Sequence, residues 1–228
     1  MRSVLITGGG TIENIDNVRG ITNFATGRLG SLIADEFADS YKTIYICGQN
    51  ACLPRNADVS IIRIKSTEDL AYECRKTLEN EQIDAIIHSM AVSDYCVDYV
   101  TDATGEILQR GKISSQCGEL ILHLRKTPKV IAMFKDIAPK SMLVGFKLLS
   151  DANRSAFVPE AQRLLRENSC DMVVINRLED ISGDKHIACL VDKDGAIAAW
   201  QTKSGIAKGV FEHVEKCFAG REREHCSI

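Results

Sequence analysis

The feature that most constrains this chain is its opening stretch, residues 4–37. An apolar run through Ile6 reads as a buried parallel strand, and Gly8, Gly9 and Gly10 follow at once, then Thr11. A polar loop carries Glu13, Asp16, Arg19 and Asn23. Thr26 and Gly27 then open a helical pattern with Leu29, Leu32, Ile33 and Phe37 on one face. Strand, glycine turn and helix start make the geometry of a nucleotide site. Glycines let backbone approach a phosphate, and N–H groups at a helix start attract anions.

Two details oppose a dinucleotide fingerprint. Sixteen residues separate Gly10 from Gly27, where that fingerprint runs straight into its helix. The second strand, 43–47, ends in Gly48 and Gln49, so no carboxylate stands ready for an adenosine ribose. A P-loop is also missing, since no G-x-x-x-x-G-K-[ST] occurs. The inserted loop reads as a substrate loop able to handle a carboxylate or phosphate; the alternative is a solvated surface loop.

At 228 residues the chain suits one α/β domain, 1–228. The net charge of −3 carries no basic block, which argues against a nucleic-acid partner. No apolar run is long enough to span a membrane, and Gly8 cuts the first one too short for a signal peptide. The nine cysteines include no C-x-x-C pair, and the five histidines show no ligand spacing. They read as reduced core cysteines, Cys117 and Cys226 among them, of a cytoplasmic protein without zinc.

Strand 59–64 precedes a helix over 67–79, with Ser66 and Asp69 spaced as a capping box. Strand 84–88 closes on Ser89 to Tyr95. These βα units predict a three-layer, doubly wound, mainly parallel Rossmann-like sheet. Residues 96–124 break the rhythm as a small antiparallel excursion with a glycine-flanked loop. Pro128 reads as the first residue of the next helix. Strand 142–146, helix 159–168, strand 172–176 and a hairpin around Asp194-Gly195 follow. A last helix spans 204–218, with a frayed tail after Gly220.

Ligands of such sheets lie beyond the carboxyl ends of the strands, which here are Gly8–Thr11, 89–95, Phe146-Lys147 and Asn176. Asp94 can hold the magnesium of a triphosphate or simply cap a turn. Lys112 can swing over a ligand or stay solvated, and Lys147 is equally open. Asn176 can bond phosphate or sugar, or form a turn. Tyr72 and Lys76 have the spacing of a Y-x-x-x-K dehydrogenase pair but fall on the wrong helix, and no G-x-S-x-G turn is present.

Taken in order, the motifs point to a family. They are Ile6-Thr7-Gly8-Gly9-Gly10-Thr11, residues 15–23, Thr26-Gly27 through Gly30, residues 88–95, Lys112-Ile113-Ser114-Ser115, Lys126-Thr127-Pro128 and residues 145–149. The sequence closely resembles the phosphopantothenate–cysteine ligases of coenzyme A biosynthesis, in the bacterial stand-alone form without a fused decarboxylase. The resemblance covers 5–194.

It implies that 4′-phosphopantothenate attacks a nucleoside triphosphate, CTP rather than ATP, to give an acyl-nucleotidylate that the amine of cysteine then opens. It further implies Mg2+ and a homodimer, with the alternating segment 120–124 as candidate dimer surface. Asn23 is expected to orient the acyl-nucleotidylate and Arg19 to hold phosphopantothenate, with Met90 and Ala91 as a close wall. Lys112 is expected beside a flap over 113–119. Gly9, Gly10, Thr11, Ser89, Met90, Asp94, Lys112, Pro128, Lys129, Val130, Ile131, Phe146, Arg163 and Asn176 are implied around the nucleotide, with Asp94 on its metal. Four departures stand out: Gly8 for a serine, Phe24-Ala25 for His-Ser, Arg177 for an aspartate after Asn176, and Arg163 with Glu167 for two lysines. An NAD(P) oxidoreductase and a non-catalytic nucleotide sensor remain as competing readings.

Overall fold

The computed structural model describes the chain except residues 110, 115, 117 and 226–228, and the side chains of 221–225. Ser115, Cys117 and Cys226 therefore lie outside the described residues, as does the side chain of His225.

The strands are β1 (Ser3–Gly8), β2 (Ile12–Asn14), β3 (Gly20–Thr22), β4 (Lys42–Gly48), β5 (Ser60–Ile64), β6 (Ala85–His88), β7 (Tyr95–Asp102), β8 (Leu120–Lys126), β9 (Met142–Leu149), β10 (Met172–Ser182), β11 (Lys185–Asp192) and β12 (Gly195–Thr202). The helices are α1 (Arg28–Ala38), α2 (Thr67–Asn80), α3 (Val130–Ile137), α4 (Phe157–Asn168) and α5 (Lys203–His225). Eight strands form one sheet in the order β12-β11-β10-β9-β6-β1-β4-β5. From β10 to β5 every pairing is parallel, and β11 and β12 close the far side as an antiparallel hairpin.

The central strands are apolar on both faces because helices cover both. Val4, Ile6, Tyr45 and Val144 pack on one face with Ile33 and Phe37 of α1 and Ile206 and Val210 of α5. Leu5, Ile46, Ile86 and Leu143 face Leu70 and Cys74 of α2 and Phe134 of α3. Ala161 and Leu165 of α4 cover Val173 and Ile175 on that second side. The three-layer, doubly wound expectation is met. The chain leaves β1 toward β4 in one direction and β6 toward β9 in the other, so the crevice between the ends of β1 and β6 is the topological switch point.

Local chemistry accounts for several ends. The capping box of α2 is present, Ser66 Oγ accepting from Asp69 N while Asp69 Oδ2 accepts from Ser66 N. The expected start of α3 at Pro128 is corrected: Lys129 is the extended N-cap. Thr127 is tied to the loop after β6 through its N–H to Asp94 O and its hydroxyl to Ser93 O, which keeps the chain extended two residues further. The polar loop after Thr11 contains a hairpin, β2 on β3. Strand β10 runs on to Ser182 past a bulge, and the segment after Gly220 is helical rather than frayed.

Two buried histidines give the fold a pH signature. His88, at the end of β6, shares a 2.8 Å hydrogen bond between Nδ1 and Thr7 Oγ1, and burial lowers its pKa to about 4. His186 is also buried, with Nδ1 unpartnered, and burial followed by the Lys203 charge brings it to about 4. Between these values and the unfolded value near 6.5, the unfolded chain binds more protons, so stability falls as pH falls. Carboxylates with lowered values, such as Asp180 and Glu160, lose their contribution only below the usual carboxylate range. Urea denaturation from pH 7 to pH 5 should therefore show stability dropping by about 1 kcal/mol per pH unit for each histidine below about pH 6.5. His186→Gln should roughly halve that slope; an unchanged slope would remove His186 from the account.

Candidate functional site

The loops after β1 and β6 are laced together across the switch point. Ala91 N donates to Gly9 O at 2.8 Å and Thr11 N to Ala91 O at 3.2 Å, giving a parallel bridge between Gly10 and Ala91. The glycines are needed for contact on every side. A Cβ at Gly8 would lie 2.4 Å from the Tyr45 hydroxyl, and one at Gly48 would lie 2.3 Å from Gly10 O. Gly9 and Gly27 have φ of +83° and +72°, where a side chain is strained. Gly30, in the first turn of α1, sits against Gly8 Cα and Ser89 Oγ. The helix start is thereby pressed onto the end of β1, and Gly48 explains in packing terms why no carboxylate occupies the end of β4.

Of the residues named from sequence, Gly9, Gly10, Ser89 and Ala91 meet here. Ser89 Oγ donates to Thr7 O at 2.7 Å. Thr11 is fully buried, with its hydroxyl accepting from Ser93 N at 3.0 Å, so it ties the two loops together. Met90 is buried against the α2–α3 side of the core.

Two carboxylates of the polar loop turn inward instead of facing ligand. Glu13 Oε1 accepts the backbone N–H and the hydroxyl of Thr67, each at 2.8 Å, at the start of α2. A carboxylate there is favoured by the helix dipole as well as by the two donors. Asp16, whose side chain is fully enclosed, accepts Val18 N at 2.9 Å, Arg19 N at 2.7 Å and Arg19 Nε at 2.9 Å. The bonds to Val18 N and Arg19 N form an Asx turn, a local pattern that the sequence allows but that does not itself imply burial. Arg19 reaches onward, Nη2 donating to Ile113 O at 2.9 Å. Lys112, next in chain, is exposed, whereas Ile113 is buried with Val97 and Val100. Ile113, the first residue of the expected flap over 113–119, is thus part of the fixed frame.

Asn23 is exposed at the exit of β3. Its carbonyl lies over Gly10, and its side chain makes no hydrogen bond among the described residues. It lines a cavity of about 500 Å³ with Gly10, Thr22, Thr26, Asn50 and Cys52, and the Phe24 ring stands fully exposed at its edge. A larger groove, about 1240 Å³, lies at the amino ends of the strands, where Asp171 and Lys135 pair with each other at 2.8 Å. The smaller cavity has the glycine turn and the helix start beside it, and it is the candidate site.

Asp94 and Lys129 form an exposed pair at 3.1 Å, beside Pro128. Val130 is buried in the core, and Ile131 Cδ1 packs toward Gly145, so neither lines the cavity. Phe146 packs on the α1–α5 side of the sheet, and Asn176 is buried in the neighbouring strand. Arg163 is not brought to this group; it lies on α4, held by Glu160 at 2.8 Å and Glu167 at 3.1 Å.

A doubly wound sheet with a glycine turn, a helix start and polar side chains gathered at its switch point defines an α/β protein of the Rossmann-like class. The chain belongs to the DNA/pantothenate metabolism flavoprotein C-terminal domain family, which it matches over residues 1–218. It is similar to the crystal structure of the DNA/pantothenate metabolism flavoprotein from Streptococcus pneumoniae, at 35% identity and a TM-score of 0.86, covering 95% of this chain and 99% of that one. A Cab2 mutant in complex with phosphopantothenate-cysteine shares the fold at 18% identity and a TM-score of 0.76, with 97% and 89% covered. The coenzyme A biosynthesis bifunctional protein CoaBC of Thermococcus kodakarensis is 28% identical over 217 residues, 94% of this chain and 51% of that protein. The chain spans about half the length of the curated relatives it matches.

The Glu13–Thr67 contact predicts a stability effect. Thr67→Val keeps the shape but removes one donor from a buried carboxylate, which should cost about 1–3 kcal/mol in urea denaturation. A loss within experimental error would mean that the N–H alone satisfies Glu13.

Proposed function

We propose that the chain is a phosphopantothenate–cysteine ligase. The phosphopantothenate carboxylate attacks the α-phosphorus of a nucleoside triphosphate, pyrophosphate leaves, and an acyl-nucleotidylate remains. The cysteine amine then attacks the acyl carbon, nucleoside monophosphate leaves, and the nitrogen sheds a proton. Family membership and the coenzyme A role named for the Thermococcus relative support this reading. Phosphopantothenate-cysteine, held by the Cab2 mutant, is the product this reaction would form.

The observation that carries the reading is the Asn23 side chain, exposed in the cavity that Gly10 also lines and without a hydrogen bond among the described residues. An amide offers a donor and an acceptor together, suited to a carbonyl and an incoming amine. No protein nucleophile is required, so the residues position groups and neutralise charge. Among the described residues no three histidine, cysteine or acidic side chains converge. Asp94 therefore contributes a single carboxylate, which suits a magnesium ion arriving on triphosphate oxygens, and Lys129 would have to release it. That ion would neutralise phosphate charge. CTP is the proposed triphosphate, on the family resemblance.

The reading extends to a homodimer. Leu120 and Leu122 turn inward against Val97, Val100 and Ile113, so the expected surface at 120–124 narrows to Ile121 and Leu124, with Tyr99 stacked on His123 beside them. Sedimentation at micromolar concentration should give twice the chain mass; an active monomer would refute pairing.

Pyrophosphate should appear only when triphosphate, phosphopantothenate and magnesium are combined, with cysteine needed for turnover alone. Release insensitive to a chelator would remove magnesium from the scheme. Asn23→Asp should still release pyrophosphate in a single turnover but slow amide formation by about 10²–10³. Loss of pyrophosphate release in that variant, with triphosphate still bound, would move Asn23 to the first step.

A further inference from the structure

The chain that presents Lys112 is pinned on both sides. On one side Leu108 N donates to Val100 O at 2.8 Å, fixing the loop to β7. On the other, both backbone groups of Ile113 are taken by the hairpin turn: its N–H reaches Asp16 Oδ2 at 3.3 Å and its carbonyl accepts Arg19 Nη2 at 2.9 Å. The Ile113 side chain is at the same time a plug in the cluster of Val97 and Val100, packed by Ile15 and Ile21. One residue from this double anchor, Lys112 can move its Cα only on a radius of about 3.8 Å.

We infer that Asp16 is a positioning residue for Lys112, acting through Arg19 and Ile113. The inference rests on the ligase reading, which gives Lys112 its task. Asp16 Oδ2 serves Arg19 Nε and Nη2 and Ile113 N together, so it sets where the guanidinium fork and the loop backbone sit relative to each other. Arg19 carries that placement across 94 residues of sequence. A lysine would not reproduce it, because one ammonium nitrogen cannot supply both the Nε and the Nη2 contacts to Asp16 while Nη2 also reaches Ile113 O. The Arg19 contact, with backbone N–H groups behind it, holds the Asp16 carboxyl well below the usual carboxylate range, so the clasp stays charged at ordinary pH. Through Nε and Nη2 Arg19 thus also bears on the reaction by way of the loop it holds.

The test uses the full chain and compares wild type, Asp16→Ser, Lys112→Gln and the double variant, with Asp16→Asn as a second probe. Serine keeps the local turn, since its hydroxyl can still accept from Val18 and Arg19, but it cannot reach the guanidinium or Ile113. Amide hydrogen exchange at Ile113 should quicken about tenfold or more in Asp16→Ser, with exchange in α1 and α5 unchanged. Amide formation from preformed acyl-nucleotidylate should slow by about tenfold to a hundredfold, while KM for triphosphate stays within about twofold. In the Lys112→Gln background the same substitution should cost less than about threefold, because the side chain it positions is gone. Additive losses, or unchanged exchange at Ile113, would overturn the inference. A wild type that never releases pyrophosphate would retire the ligase reading instead, and the exchange comparison would then decide alone whether Asp16 holds the loop.

Discussion

Everything at the candidate site depends on two backbone hydrogen bonds that lie outside any named strand. Ala91 N to Gly9 O and Thr11 N to Ala91 O continue the pairing of β1 and β6 beyond their ends. Without side chains at Gly8, Gly9 and Gly10 the two loops, the start of α1 and the end of β4 can converge on one point. The hairpin bearing Asn23 is then hung from that point by Ile12 N to Lys65 O and by the Glu13–Thr67 contact. In this chain the mouth of the sheet is part of the hydrogen-bonded frame.

The larger architecture was legible because it follows from periodicity. Continuous apolar strands and one-sided helices leave few alternatives once βα units repeat. Glycine positions and the Ser66–Asp69 box were legible for the same reason, each answering a local steric or hydrogen-bonding demand. The inward turn of Glu13 and Asp16 was not. Both are polar residues in a polar loop, and their partners Thr67 and Ile113 lie 54 and 97 residues away. Nor could sequence show that Arg163 is occupied by Glu160 and Glu167, although i,i+3 and i,i+4 spacing makes that pairing natural in hindsight.

The departures from the resembled family are accommodated by local exchanges. Arg177 binds both oxygens of Asp180 and the carbonyl of Ala152, and Arg154 adds a third cationic contact to the same carboxylate. Arg177 leads in bringing the Asp180 carboxyl down to about 2. Asp151 N completes the lacing by donating to Glu179 at 2.9 Å. An arginine after Asn176 thus secures the link between β9 and α4 to the bulged end of β10. Phe24 has no such compensation: nothing among the described residues covers its ring.

The contact between Gly8 and Tyr45 has a consequence for how such proteins exchange parts. The Tyr45 hydroxyl also donates toward Gly27 O at 3.3 Å, so it stands where the end of β1 and the threshold of α1 meet. A serine at position 8 would collide with that ring, and a smaller residue at 45 would leave a void under the turn. The two positions are therefore sterically coupled. A glycine turn transplanted from a serine-bearing relative would need its own partner from the second parallel strand to come with it.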